Sequence, residues 1–260
     1  NVVGGDVGFV IGARVNAASR MGDRMGAFGL LASTDESETD DLADHLAHLN
    51  DARKGLVASM VKDARKHLEA RELRDVIVIG NPAWKPGLAG LVASNIVEAY
   101  GKTTFVWGRT DDGRIKGSCR SDGTVNVVEL MTSVSKGFFI DVGGHAQSGG
   151  FSVDSDGIHT LEDELVRVYQ NVRLEKEEEE QNVDAILSLA EVNFATWKQI
   201  EQFAPFGMAN PKPTFLFEKV TLADVRRFGK ENAHLELSFQ NSSVKAIAFF
   251  ADKEKYINVV

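Results

Sequence analysis

One cysteine, Cys119, stands among 260 residues. That scarcity excludes an internal disulfide framework and fits a reducing compartment, so a cytoplasmic location is expected. With no Cys or His at ligand spacing beside it, a zinc site there is not expected either. No apolar run reaches the roughly 18 residues a membrane helix needs, so no membrane partner is expected. There is no signal-peptide pattern and no internal repeat. The chain starts at Asn1 rather than Met and stops at Val260 after a strand-like run, so it is expected to be a piece of a longer protein. Positive charge is in deficit: 29 Lys and Arg against 38 Asp and Glu leave a net charge of -9. Taken alone, this argues against a polyanionic partner, because phosphate binding needs local positive charge.

What is present qualifies that last exclusion. The acid is clustered in two blocks, Glu36 to Asp51 and Glu175 to Glu180, which read as solvated helix faces. The glycine-rich segments carry cations instead: Arg14, Arg20, Lys85, Lys116 and Arg120 among them. A global balance can hide a basic cleft. Hydrophobic content of 43% and charged content of 26% are ordinary for a globular chain that can hold two domains.

The first 35 residues carry a small-residue stretch, Ile11 to Arg20, and a short helix near Met25 to Leu31. Ser33, Thr34 and Asp35 are N-cap candidates for a long helix from about Glu36 to Glu72. Its apolar stripe runs through Leu42, Leu46, Leu49, Leu56, Met60, Ala64 and Leu68. Such a helix spans on the order of 50 Å and is expected to connect domains. Residues 76–182 alternate between strands and helices, an α/β layered pattern with ligands expected at strand ends. The strands fall at 76–79, 103–107, 115–118, 138–142 and 151–153, and the helices at 87–100, 125–134 and 161–181. A second unit starts near Val183. It has a helix over 193–203, a turn-rich Pro205 to Pro213, and strands over 215–220, 222–228, 234–239 and 244–250. Sequential strands with short turns suggest a small antiparallel barrel, expected to be incomplete at residue 260. The fold class is α/β: a long connector helix, a small mixed α/β domain, then an antiparallel β-barrel.

The segment Gly143-Gly144-His145-Ala146-Gln147-Ser148-Gly149-Gly150 brackets one histidine with glycine pairs after an apolar run. Either it is a tight turn with an incidental histidine, or a strand-to-helix turn whose amides cradle phosphate oxygens. Lys116-Gly117-Ser118-Cys119-Arg120-Ser121, expected just after a strand, offers cations and hydroxyls for an anion, or is a basic surface turn. Ser118 is a poor nucleophile candidate, since no Gly-x-Ser-x-Gly surrounds it. Asn16 and Arg20 would share a helix face, whereas Arg14 and Asn16 would share a strand face. Trp84 is a core residue or a platform for a base. Asp41, His45 and His48 have helical spacing but sit in an acidic face, which makes a metal site there a weak reading.

Taken together, Ile11 to Arg20, Trp84 to Ser94, Lys116 to Ser121, Gly143 to Phe151, and Pro205-Phe206-Gly207 with Asn210-Pro211 resemble the C-terminal part of the RecJ family. These are single-strand-specific 5′→3′ DNA exonucleases of the Asp-His-His phosphoesterase superfamily. The resemblance implies the following organisation: the end of a catalytic domain over 1–35, a connector helix over 36–75, a substrate-binding domain over 76–182, and a truncated oligonucleotide-binding (OB) barrel over 183–260. It implies Mn²⁺ or Mg²⁺ in the full-length protein, with ligands that precede Asn1, since no Asp-His-His or Asp-His-Asp occurs here. By the same resemblance Ser118 and Arg120 hold a 5′-terminal phosphate, with Arg14 close by; Lys116 and Ser121, from the same motif, are expected to bind substrate. Asn16 and Arg20 lie near the cleft. His145, with Gly143 and Gly144, faces the scissile phosphodiester. Arg226, Arg227 and Phe228 track single-stranded DNA. Protein partners would be a single-strand-binding protein or a helicase, and the chain alone would cleave nothing. Lys85 stands where the family often has histidine, Ser148-Gly149 where it has two alanines, and Ser19 where it has glycine. Two alternatives stand beside this reading: an oligoribonucleotide or cyclic-dinucleotide phosphodiesterase of the same superfamily, and a non-catalytic single-stranded-DNA-binding scaffold.

Overall fold

The computed structural model describes residues 6–174, 182–207, 209–229, 232–249 and 251. The chain forms two compact units, Asn1–Glu177 and Glu178–Val260. Among the described residues no helix is long and apolar enough to cross a membrane.

The first unit opens with a π-helical turn, Asp6–Ile11, then α1 (Gly12–Met21) and α2 (Arg24–Ala32). The Ile11 to Arg20 stretch is therefore helical, which settles the strand-or-helix alternative. α3 (Glu36–Glu69) starts where Asp35 accepts a bond from the Glu38 amide, an N-cap that satisfies one of the free first-turn donors. Its 34 residues span about 51 Å at 1.5 Å per residue. The stripe serves two packing partners. Leu46 meets Ala18 of α1 and Ala27 of α2, whereas Met60, Ala64 and Leu68 pack with Leu88, Val92 and Ile96 further on.

A five-stranded mixed sheet follows, in the order β1-β2-β3-β5-β4. Its strands are β1 (Ile77–Gly80), β2 (Thr104–Arg109), β3 (Ile115–Arg120), β4 (Phe139–His145) and β5 (Ser148–Val153). β1 and β2 are parallel and joined by α4 (Pro86–Tyr100); the other pairings are antiparallel. α5 (Val127–Thr132) and α6 (Leu161–Val172) pack on one face, around Phe105, Ile115, Cys119, Phe151 and Val153. α3 and α4 pack on the other, around Ile77 and Val106. Trp84 is buried in that second core, so it offers no face to a base.

Two segments differ from expectation. β3 runs on through Lys116 to Arg120, so this motif lies within a strand rather than after it. Gly143 to His145 belong to β4, and a hairpin turn at Ala146-Gln147 leads straight into β5. There is no strand-to-helix turn at this place.

In the second unit Asn193 caps α7 (Phe194–Ile200) by accepting from the Ala195 and Thr196 amides. The side-chain amide of Asn210 donates to the Phe203 and Pro205 carbonyls and so knits the turn-rich loop closed. β6 (Ala185–Ile186) pairs in parallel with β7 (Phe215–Leu216). β8 (Leu222–Phe228), β9 (His234–Phe239) and β10 (Lys245–Ala248) form an antiparallel sheet in the order β10-β9-β8. Among the described residues the sheet does not close. Phe250, the expected end of the last strand, and the acid block Glu175 to Glu180 lie outside the described residues.

Candidate functional site

Residues directly opposite one another in an antiparallel pair share a face of the sheet. The registers therefore lay out three rows on the α4 side. Arg120, Ser148 and His145 form the first, Ser118, Gly150 and Gly143 the second, and Lys116, Ser152 and Asp141 the third. Neighbours within a row are about 5 Å apart, and rows are about 7 Å apart along the strands. Intervening residues of β3 and β5, among them Ile115, Cys119, Phe151 and Val153, turn to the opposite core. α4 shelters β2 and β3, while Asp141, Gly143 and His145 on β4 are exposed.

The glycines divide by face. A Cβ on Gly149 would stand 3.0 Å from the Met131 methyl and the Gly143 carbonyl, and 3.1 Å from the Cys119 sulfur. Gly144 has φ +146°, and a Cβ there would meet the Ser148 carbonyl at 2.3 Å. Packing and backbone geometry demand both. Gly143 would meet nothing within 4 Å, and Gly150 only the Gly117 carbonyl at 3.7 Å. Packing does not demand this second pair, which leaves a bare floor in the middle row.

Two guanidinium groups converge at the covered end. Arg20 of α1 donates to the Gly87 carbonyl at 3.2 Å. The Arg120 side chain crosses the first turns of α4, where a Cβ on Gly90 would stand 2.7 Å from its Nη2. Its Nη1 donates to the Cys119 carbonyl at 2.8 Å. Burial lowers the Arg120 pKa, and the charge of Arg20 lowers it further. Neither guanidinium has a carboxylate partner among the described residues. α4 begins with Pro86 at its first turn, and Lys85 at the cap position supplies no side-chain bond to the helix amides. Two cations and a helix N-terminus thus share one locality without a counter-charge.

His145 sits at the exposed end of the first row. Its Nδ1 accepts from the Gln147 amide at 3.4 Å, which leaves the proton on Nε2, 2.8 Å from the Ser148 hydroxyl. Ser118 lies between the cations and the glycine floor, and its hydroxyl has no partner among the described residues. Ser121 has a different role: it donates to the Val125 carbonyl at 2.6 Å and accepts from the Gly123 amide. That hydroxyl builds a turn and leaves the phosphate-binding set. Arg14 donates to the Val10 carbonyl, and its charge acts on Asp51 of α3 rather than on Arg120. Asn16 is exposed, one turn before Arg20 on the same side of α1. Cys119 is buried, and its thiol is pushed up to about 12, so it is no nucleophile. His45 bonds Asp23 at 2.7 Å rather than standing in a ligand set with Asp41 and His48.

In the second unit, Arg226 and Arg227 point to opposite faces of β8, as consecutive strand residues must, so they do not form one cationic track. Arg226 and Lys245 flank Glu236 at 3.3 and 3.1 Å and hold its carboxyl below the usual range, Lys245 first. Arg227 donates to the Asn232 carbonyl. On the Arg226 face, Phe228, His234 and Phe249 line up ring to ring, each step 5.3 Å between centroids. The part of this row formed by His234 and Phe249 carries no simple sequence signal, because it comes from strand register.

The chain has counterparts among known proteins. Residues 73–172 match the DHHA1 domain model, and residues 183–258 match the RecJ OB domain model. The chain belongs to the RecJ family. It is 30% identical over 240 residues to the single-stranded-DNA-specific exonuclease RecJ of Bacillus subtilis, covering 91% of this chain and 30% of that protein. The crystal structure of Thermus thermophilus RecJ in complex with Mn²⁺ aligns with a TM-score of 0.78 at 27% identity, over 95% of this chain and 36% of that one. The Mg²⁺ complex from the same organism aligns with a TM-score of 0.75 at 26% identity, over 95% and 38%. This chain thus spans roughly a third of the length of these RecJ proteins. Among the described residues no three His, Cys, Asp or Glu lie together in a way that could hold a metal ion.

Proposed function

We propose that this chain is the end-gripping part of a single-stranded-DNA-specific 5′→3′ exonuclease. The observation that carries the reading is the unneutralised pair Arg20 and Arg120 at the start of α4. Like charges held together repel until an anion joins them, and a guanidinium matches a phosphate with paired donors. In this reading the terminal phosphate sits between them, with the Ser118 hydroxyl donating. Gly143 and Gly150 let the strand lie close to the sheet. His145 is about 10 Å across the sheet from Arg120, so the two grip different groups. Its Nε2 proton can leave the Ser148 hydroxyl for an oxygen of the scissile phosphodiester, where negative charge grows during hydrolysis.

Hydrolysis itself belongs to the longer protein. The related Thermus structures carry Mn²⁺ or Mg²⁺, and we assign a divalent-ion requirement to the full-length enzyme with ligands outside this chain. Among the described residues no cluster fits an ion, and in this reading the chain alone binds DNA without cutting it. In the second unit the row of half-buried Phe228 and His234 and exposed Phe249, beside Arg226, gives tilted and edge-on rings and a cation for a single strand. The test is substitution. Arg120→Ala and Arg20→Ala are each expected to weaken binding of 5′-phosphorylated single-stranded DNA by about 1–3 kcal/mol, whereas Ser121→Ala leaves the affinity of the folded protein in place. Unchanged affinity in both arginine variants contradicts the assignment.

A further inference from the structure

The third row of the sheet face has no role in gripping a phosphate end. It borders a cavity of about 390 Å³ lined by Pro86, Gly87, Lys116, Asp141, Gly143 and Ser152, among others. Ser152 is only 8% exposed, yet its hydroxyl has no hydrogen-bond partner among the described residues. Its neighbours Phe151 and Val153 turn into the opposite core, so strand alternation aims Ser152 at the cavity. Lys116 and Asp141 stand on either side of it in the register. Neither side chain makes an ion pair or a hydrogen bond among the described residues. An open hydroxyl between an unpaired cation and an unpaired carboxylate, both of them exposed, presents three free polar groups to one ligand in the cavity.

The order of groups identifies the ligand. Lys116 only donates, Ser152 does either, and Asp141 only accepts, at steps of about 5 Å. A second phosphate would be repelled by Asp141. A neutral edge with acceptors at one end and an amino group at the other fits all three. Cytosine, adenine and guanine have such edges. Thymine has no amino group to offer the carboxylate. We propose that Lys116, Ser152 and Asp141 form a subsite for the base of the 5′-terminal nucleotide, selective for amino-bearing bases over thymine. This rests on the reading of Arg20 and Arg120 as the terminal phosphate site, one to two rows away.

The test uses the whole chain and fluorescence polarisation with 5′-phosphorylated oligodeoxynucleotides that differ only in the first residue: dC, dT or abasic. The dC end is expected to bind about five- to tenfold tighter than the dT end, the net worth of one hydrogen bond. The abasic end should bind no better than dT. Asp141→Asn, exposed and so harmless to folding, presents both a donor and an acceptor and should bring dC and dT to within about twofold. Equal affinity for dC, dT and abasic ends, with phosphate dependence intact, overturns this subsite and leaves the phosphate site standing. A dC preference that persists while 5′-phosphate and 5′-hydroxyl ends bind alike removes the phosphate site and keeps this one. If Asp141→Asn tightens all three ligands equally, the carboxylate merely repels DNA and the proposal fails.

Discussion

Adjacent glycines in the Gly143 to Gly150 hairpin differ in what they are for. Gly144 and Gly149 are fixed by backbone and packing, while Gly143 and Gly150 face open space. Alanine should separate the two kinds. Gly144→Ala, at φ +146° with the Ser148 carbonyl in its way, is expected to lower unfolding free energy by about 1–3 kcal/mol in a urea titration. Gly143→Ala should leave stability within about 0.5 kcal/mol and weaken DNA binding instead. Equal stability losses in both would mean the middle row is structural. At this scale the sequence was partly legible. Arg120 and His145 stood out in the sequence, and the strand registers bring them into one row. Ser121 could not be told from Ser118, because a hydroxyl used in a turn and one left open look alike until the Val125 carbonyl and the Gly123 amide are placed beside it.

The elements depend on contacts that bring distant segments together. β1 is an edge strand, and its outer backbone groups need partners. Arg71 donates to the Val78 carbonyl at 3.0 Å and to both oxygens of Glu162, and Glu162 in turn accepts from the Val78 amide. This clasp seals the edge and ties the end of the long helix to α6. Arg71→Ala is expected to cost about 1–2 kcal/mol, a charged-bond value reduced for partial exposure. Glu162→Gln, which can still accept from the amide, should cost less. The reverse order in thermal melts would show that charge, not edge satisfaction, is what matters. The extent of α3 was readable from its apolar stripe and cap, since helical period is a local signal. The ends of β3 and β4 were not. Glycine has low strand preference, and Cys119, Arg120, Gly143 and His145 are held in strands by the register of their neighbours.

Over the whole molecule, a net charge of -9 coexists with a locality that holds Arg20, Arg120 and a helix N-terminus. Charge totals are a poor guide when acid clusters on the long helix α3 and cations lie in glycine-rich segments. The change from strand–helix alternation to consecutive strands near residue 183 falls close to the division between the two compact units. The row of rings in the second unit depended on pairings that composition does not encode. The central claim is that unpaired guanidinium groups at the start of α4 await a terminal phosphate. The most direct measurement is the affinity of the intact chain for one oligodeoxynucleotide bearing either a 5′-phosphate or a 5′-hydroxyl. The account predicts about tenfold or greater preference for the phosphate, reduced as salt rises; equal affinity for the two ends would contradict it.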